Sequence, residues 1–198
     1  VKAINFLVVG VGGQGALLAS NVLAEVGVRA GFDVKKAEVH GMSQRGGSVN
    51  SHVRWGEAVQ SPLIGAGEVD VLFSLEKLET LRYVSMLRRD GLALIGDFSI
   101  PPLTVSSGEE RYPYDGQIEA ALRQVTDDVL FVPTLSLATQ AGSPRAHNVV
   151  LLGALSRRIE DASLKTWLEV IETTVPAKYV ALNRMAFEMG RNYVPLPG

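Results

Sequence analysis

The segment Gly10-Val11-Gly12-Gly13-Gln14-Gly15 closes an apolar, β-branched run at residues 4–9 and opens a helix-forming stretch at 16–30. Glycines at this spacing let the chain turn sharply out of a buried strand and bring backbone amides close to a ligand. The free amides and the helix dipole there favour an anionic group such as a phosphate. The same glycines also serve close strand–helix packing with no ligand, so both readings stand. An NAD site would further need an acidic residue at the end of the next strand, to hold the ribose hydroxyls. Glu38 stands near that position but His40 ends the run, leaving the fingerprint incomplete. A Walker phosphate loop is excluded because Ala16 and Leu17, rather than Lys and Ser or Thr, follow Gly15.

The second polar cluster is His40-Gly41-Met42-Ser43-Gln44-Arg45-Gly46-Gly47-Ser48. Arg45 is suited to a carboxylate or phosphate, and Ser43, Gln44 and the Gly46-Gly47 amides supply further hydrogen bonds. The alternative is a turn whose polar groups satisfy one another. A third segment, Ser143-Pro144-Arg145-Ala146-His147-Asn148, precedes an apolar helix. Asn148 reads as its N-cap, with Arg145 and His147 as ligand groups only in a second reading. His40, His52 and His147 lack metal-ligand spacing, and no nucleophile–histidine–carboxylate arrangement is visible. Asp97, at the end of a strand, reads as a turn former rather than a base. No catalytic residue and no metal ligand is assigned.

These loops need a scaffold. Strands are expected at residues 4–9, 33–39, 49–54, 70–74, 92–96 and 129–132, with helices at 16–30, 75–89, 149–155 and 164–175 and a last one bearing Tyr179, Leu182, Ala186 and Met189. Gly31 and Gly91 read as helix stops, and Ser163 as an N-cap. A strand–glycine turn–helix–strand start implies a right-handed crossover and parallel strands. The loop after the second strand then leaves the same carboxyl edge as the glycine turn, and the two line one crevice. Residues 101–116, rich in Pro, Gly and Ser, read as a long excursion. The whole is expected to be one α/β domain over residues 1–198: a three-layer α/β/α, Rossmann-like unit with a mostly parallel sheet core to about residue 133 and a helical part over 134–198.

Composition narrows the function. The chain has 19 Lys and Arg against 21 Asp and Glu, with its basic pairs scattered, so it presents no nucleic-acid or membrane surface. It contains no cysteine, hence no disulfide, thiolate nucleophile or thiolate set for an iron–sulfur cluster. No apolar span of about 18 or more residues is present, and a cytoplasmic address is expected.

With these motifs in view, the chain resembles the gamma subunit or domain of the 2-oxoacid:ferredoxin oxidoreductases, particularly the small subunits of the indolepyruvate enzymes. The resemblance spans nearly the whole length. It rests on Gly10–Gly15, on the segment from His40 to Val49, on Ala146-His-Asn-Val-Val-Leu-Leu-Gly-Ala-Leu155 and on Asn183-Arg-Met-Ala-Phe-Glu-Met-Gly190. It implies a complex that oxidatively decarboxylates a 2-oxoacid to an acyl-CoA and passes electrons to ferredoxin. Thiamine diphosphate, its Mg and the iron–sulfur clusters are then expected on partner subunits, with CoA as a ligand this chain shares. The one Gly-Asp pair, Gly96-Asp97, continues with Phe98 and so departs from the thiamine-binding Gly-Asp-Gly motif. The alternative from the glycine turn alone is an independent NAD(P)-binding oxidoreductase.

Overall fold

A computed structural model describes residues 3–40, 47–108 and 111–194. In chain order the elements are β1 (Ile4–Val11), α1 (Ala16–Arg29), β2 (Asp33–His40), β3 (Ser48–Gly56), β4 (Val69–Ser74), α2 (Lys77–Tyr83), β5 (Leu87–Gly96), α3 (Leu103–Ser106), α4 (Asp115–Leu122), β6 (Val129–Val132), α5 (Thr134–Gln140), α6 (His147–Ser156), α7 (Leu164–Thr174) and α8 (Val180–Tyr193). The six strands form one sheet in the order β2-β3-β1-β4-β5-β6. Pairings from β1 through β4 and β5 to β6 are parallel, whereas β3 runs antiparallel to both of its neighbours.

Period-two alternation on buried strands produces the three layers. Phe6 and Val8 of β1, Val53 and Trp55 of β3 and Phe73 of β4 pack with Val22, Leu23 and Val26 of α1 and with α6, α7 and α8. Leu7, Val9, Leu72 and Ile95 point the other way, onto Ile118 and Leu122 of α4 and the partly buried Leu81 of α2. Each large side chain fully withdrawn from water this way contributes about 1.5–3 kcal/mol before ordering costs.

The sheet corrects the expected start of the fold. β2 does run parallel to β1, but β3 lies between them, so the two strands never meet. β2 and β3 are instead the arms of a hairpin. Two other expectations also shift. The helix placed at 75–89 ends at Tyr83, a 3₁₀ turn covers Val84–Met86, and Leu87 already begins β5. Leu87 is buried opposite Val69, while Val71 pairs with Leu92, so the residues between bulge out of the ladder and Asp90 takes φ 63°. Gly91 therefore sits inside a strand irregularity rather than stopping a helix.

Among the helices, α7 follows the expected pattern: Ser163 Oγ accepts the Thr166 amide at 3.1 Å, and Trp167, Val170 and Ile171 face inward. The helix buried on all sides is α6, every residue of which is buried. By contrast α1, which reads as apolar nearly all round, exposes Leu17 and Val28. α6 is also the helix that α8 approaches most closely. A Cβ on Gly153 would lie 1.9 Å from the Phe187 carbonyl oxygen, and one on Gly190 would lie 1.9 Å from that of Val150. The two glycines interlock backbone to backbone.

Candidate functional site

β1 ends in the middle of the sheet, and the glycine turn hangs from it. Gly13 and Gly15 adopt φ 101° and 81°, the left-handed region that glycine enters without the steric cost other residues bear. Gln14 is buried and ties the turn from both ends of its amide. Its Oε1 accepts the Val11 amide at 2.8 Å, and its Nε2 donates to the Leu75 carbonyl at 3.0 Å. Gly15 occupies the N-cap of α1 and has no side chain to cap it, so the first amides of that helix meet no side-chain acceptor. Across the turn, Asn148 Nδ2 donates to the Gly15 carbonyl at 3.2 Å. Asn148 is thus not the N-cap of α6, a position held by Ala146. It lies in the first turn, where its Nδ2 goes to the glycine loop and its Oδ1 accepts the Val149 amide at 3.0 Å, while Ser143 Oγ caps the preceding 3₁₀ turn.

The hairpin register places the second motif. His40 is opposite Val49, and Val49 is opposite Gly10, so both arms end at the level of the glycine turn. Gly12 N–H donates to the Gly47 carbonyl at 2.9 Å, joining the two motifs directly. Ser43, Gln44, Arg45 and Gly46 lie outside the described residues. Their exit is anchored by Ser48, whose Oγ donates to the buried carboxylate of Glu79. Tyr83 Oη lies 3.3 Å from Ser48 Oγ and accepts from Asn50 at 2.8 Å.

Two cavities flank the turn. One, of about 450 Å³, runs between Gly13–Gly15, Arg145 and an apolar wall that includes Leu18, Val175, Tyr179 and Leu182. The other, of about 490 Å³, lies between the turn, Phe98 and His147. Arg145 borders both, is exposed, and forms no ion pair with a described residue. His147 is buried against Phe98, with ring centroids 5.1 Å apart. Burial pulls its pKa below the ordinary value and so favours a neutral ring, an effect the Asp97 charge partly opposes. Asp97 Oδ1 accepts from Thr134 Oγ1 at 3.1 Å and from the Leu135 amide at 3.3 Å, capping the start of α5. His52 Nδ1 accepts the Ile64 amide at 3.2 Å. Among the described residues no group of His, Cys, Asp or Glu can hold a metal ion.

Sequence reasoning pairs the glycine turn with the 40–48 loop. The structure adds a second partner, the segment Ser143–Asn148, which brings Arg145 to the turn from far along the chain. It also reveals a buried carboxylate pair behind the site. Glu76 accepts the Glu79 and Ile100 amides, both at 2.9 Å, and the Tyr112 hydroxyl at 2.5 Å. Burial raises the pKa of Glu79, with Ser48 and Arg82 opposing the rise. An acid that holds its proton more tightly when folded loses stability as pH rises, from the ordinary Glu value of about 4.3 up through its raised one. Urea denaturation across that range should show the wild type losing stability with pH relative to Glu79→Gln. Parallel curves would rule the carboxylate out as the source.

The β3 insertion bears on nucleotide binding. Glu38 is paired through Ser51 to Val8, two strands from β1 and so roughly 9–10 Å across the sheet. It also holds Lys36 at 2.5 Å. The carboxylate that a dinucleotide fold sets on the strand beside the glycine turn is not set there.

Residues 5–193 match the family model for pyruvate ferredoxin/flavodoxin oxidoreductase. The chain belongs to the pyruvate ferredoxin/flavodoxin oxidoreductase family. Within it, the chain is 43% identical over 190 residues to the indolepyruvate oxidoreductase subunit IorB of Archaeoglobus fulgidus, covering 96% of this chain and 94% of that one. The solved gamma subunit of a keto/oxoacid ferredoxin oxidoreductase from Geobacter sulfurreducens superposes with a TM-score of 0.69 at 23% identity, covering 97% of each chain. A 2-oxoglutarate:ferredoxin oxidoreductase from Magnetococcus marinus, solved with 2-oxoglutarate, coenzyme A and succinyl-CoA bound, superposes over all of this chain and 32% of its own at a TM-score of 0.72 and 20% identity. As a gamma-type member of the pyruvate ferredoxin/flavodoxin oxidoreductase family, the chain is a subunit of a 2-oxoacid:ferredoxin oxidoreductase complex. No described helix is long and apolar enough to cross a membrane.

Proposed function

We propose that this chain is the cofactor-free small subunit of a complex that oxidatively decarboxylates a 2-oxoacid, indolepyruvate by its likeness to the IorB subunits, and that its crevice receives the anionic end of CoA. The observation that carries the CoA assignment is the uncapped N-terminus of α1, opening beside left-handed Gly13 and Gly15 into a cavity bordered by Arg145. Helix N-terminal amides without a side-chain cap, a helix dipole and a guanidinium with no ion pair among the described residues converge where a phosphate would sit, and the apolar wall accommodates a ring or chain behind it. The Gly10–Gly15 turn with its Gly12, Gly13 and Gln14, and the segment carrying Ser43, Gln44, Arg45, Gly46 and Gly47, are assigned by their sequence motifs to one ligand site at a subunit junction, and the Gly12–Gly47 hydrogen bond supports that assignment. Catalysis itself belongs to the partners. With no cysteine, the chain supplies no thiolates for clusters, so the iron–sulfur and thiamine diphosphate–Mg centres reside on other subunits, which hand electrons to ferredoxin. The complex works in the cytoplasm, without nucleic acid or membrane, and the chain acts within it as one unit over residues 1–198. An NAD(P) site in this crevice is disfavoured by the position of Glu38.

Reconstitution tests this. The purified chain alone should show no visible chromophore and no 2-oxoacid-dependent reduction of a low-potential dye. Adding the thiamine-binding and cluster-bearing subunits should give turnover that saturates with CoA. Turnover by the chain alone, or a complex equally active without it, would overturn the assignment.

A further inference from the structure

β2 is one edge of the sheet, eight residues long, while the opposite edge, β6, has only four. A short edge offers little to pair with, whereas a long regular one is a template for another strand unless its side chains prevent it. The side chains of β2 alternate between faces. Lys36 and Glu38 lie on the face covered by α1, where Lys36 reaches Asn21, and Lys35, Ala37 and Val39 lie on the other. Val39 is 46% exposed.

We infer that β2 pairs antiparallel with β2 of a second copy of this chain, about a two-fold axis through Ala37 and normal to the sheet. Such an axis keeps faces matched, so a residue can oppose only residues of its own parity. Centring on Lys36, Glu38 or Lys35 sets like charges on the axis, and centres nearer either end shorten the pairing. With Ala37 on the axis the smallest side chain of the strand meets itself. Lys36 then opposes Glu38 of the second copy, Glu38 opposes Lys36 of the second copy, and Lys35 lays its stem along Val39 of the second copy. Lys36 and Glu38 already attract within one strand at 2.5 Å, and the two-fold places a second such pair on each side of the axis. The result is a continuous twelve-stranded sheet with the crevices at Gly10 on both protomers left clear of the axis. This inference is independent of what the crevice binds.

The test is the oligomeric state of the full chain by sedimentation velocity across a concentration series. The wild type should form a dimer that weakens with added salt. Lys36→Glu and Glu38→Lys should each raise the dissociation constant by about tenfold or more, since each turns two attractions into repulsions, with circular dichroism unchanged. The double exchange K36E/E38K should restore the dimer. Glu38 is the more exposed of the two, so Glu38→Lys together with the salt dependence decides the matter if Lys36→Glu fails to fold. A wild type that stays monomeric, a dimer indifferent to either reversal, or a double exchange that fails to restore association would each overturn it.

Discussion

Gly190→Ala should lower the melting temperature by about 4–8 °C, although alanine is the better helix former. The Cβ would sit 1.9 Å from the Val150 carbonyl oxygen and 2.7 Å from its carbon, both rigid backbone atoms in the middle of α6. No rotamer change can relieve that contact, so α6 and α8 must separate and loosen the packing of Phe187 of α8 against Trp167 of α7. Overpacking of a tight interior costs about 1–3 kcal/mol, and a backbone–backbone clash belongs at the upper end. The helix-propensity gain is about 1 kcal/mol, so the net loss is about 2 kcal/mol, which in a chain of this size corresponds to the stated shift. Gly153→Ala, which meets the Phe187 carbonyl, should behave alike. A melting temperature that rises in either variant would show that propensity outweighs the contact.

The second large effect is expected at Arg145, in turnover rather than stability. Its guanidinium makes no ion pair with a described residue, so Arg145→Ala should leave the melting temperature close to wild type. In the reconstituted complex the CoA concentration for half-saturation should rise about tenfold or more, the loss of one charge-assisted contact of roughly 1.5–3 kcal/mol. Arg145→Lys should recover part of this if the contact is a simple charge attraction and little if it is bidentate. Arg45→Ala, on the loop whose return arm is held by Gly12, should act in the same direction if both motifs grip the ligand. Unchanged CoA saturation in all three variants would remove the crevice from the reaction.

Residues near one another in sequence carried most of what could be read directly. The strand–turn–helix unit around Gly10–Gly15, the Ser163 cap and the position of β6 follow from local periodicity and capping chemistry, and the structure agrees with them. The α/β layering also follows, because doubly buried strands alternating with apolar helices admit few other arrangements. What local pattern does not contain is the order of strands in the sheet. The run at 33–39 is compatible with a neighbour of β1 or with a hairpin arm, and the decision rests on a ladder between β3 and β1 formed far along the chain. The Asn148–Gly15 bond spans 133 residues, and nothing near Asn148 distinguishes it from an ordinary helix cap. Arg145 enters the site through the same long-range closure. Gly153 and Gly190 stand in the segments that carry the family resemblance, yet their interlock appears only when the two helices are brought together.

The placement of β3 also governs how the molecule opens. Because β3 covers one side of β1 and β4 the other, the strand bearing the glycine turn has no free flank and lies two ladders from one edge and three from the other. Fraying at β2 or β6, the cheapest excursions available to such a sheet, exposes amides at the margins and leaves β1 paired. The turn thus hangs from an interior strand, so fraying confined to the outermost strands leaves its attachment to the sheet paired. An edge can exchange partners while the centre keeps its shape.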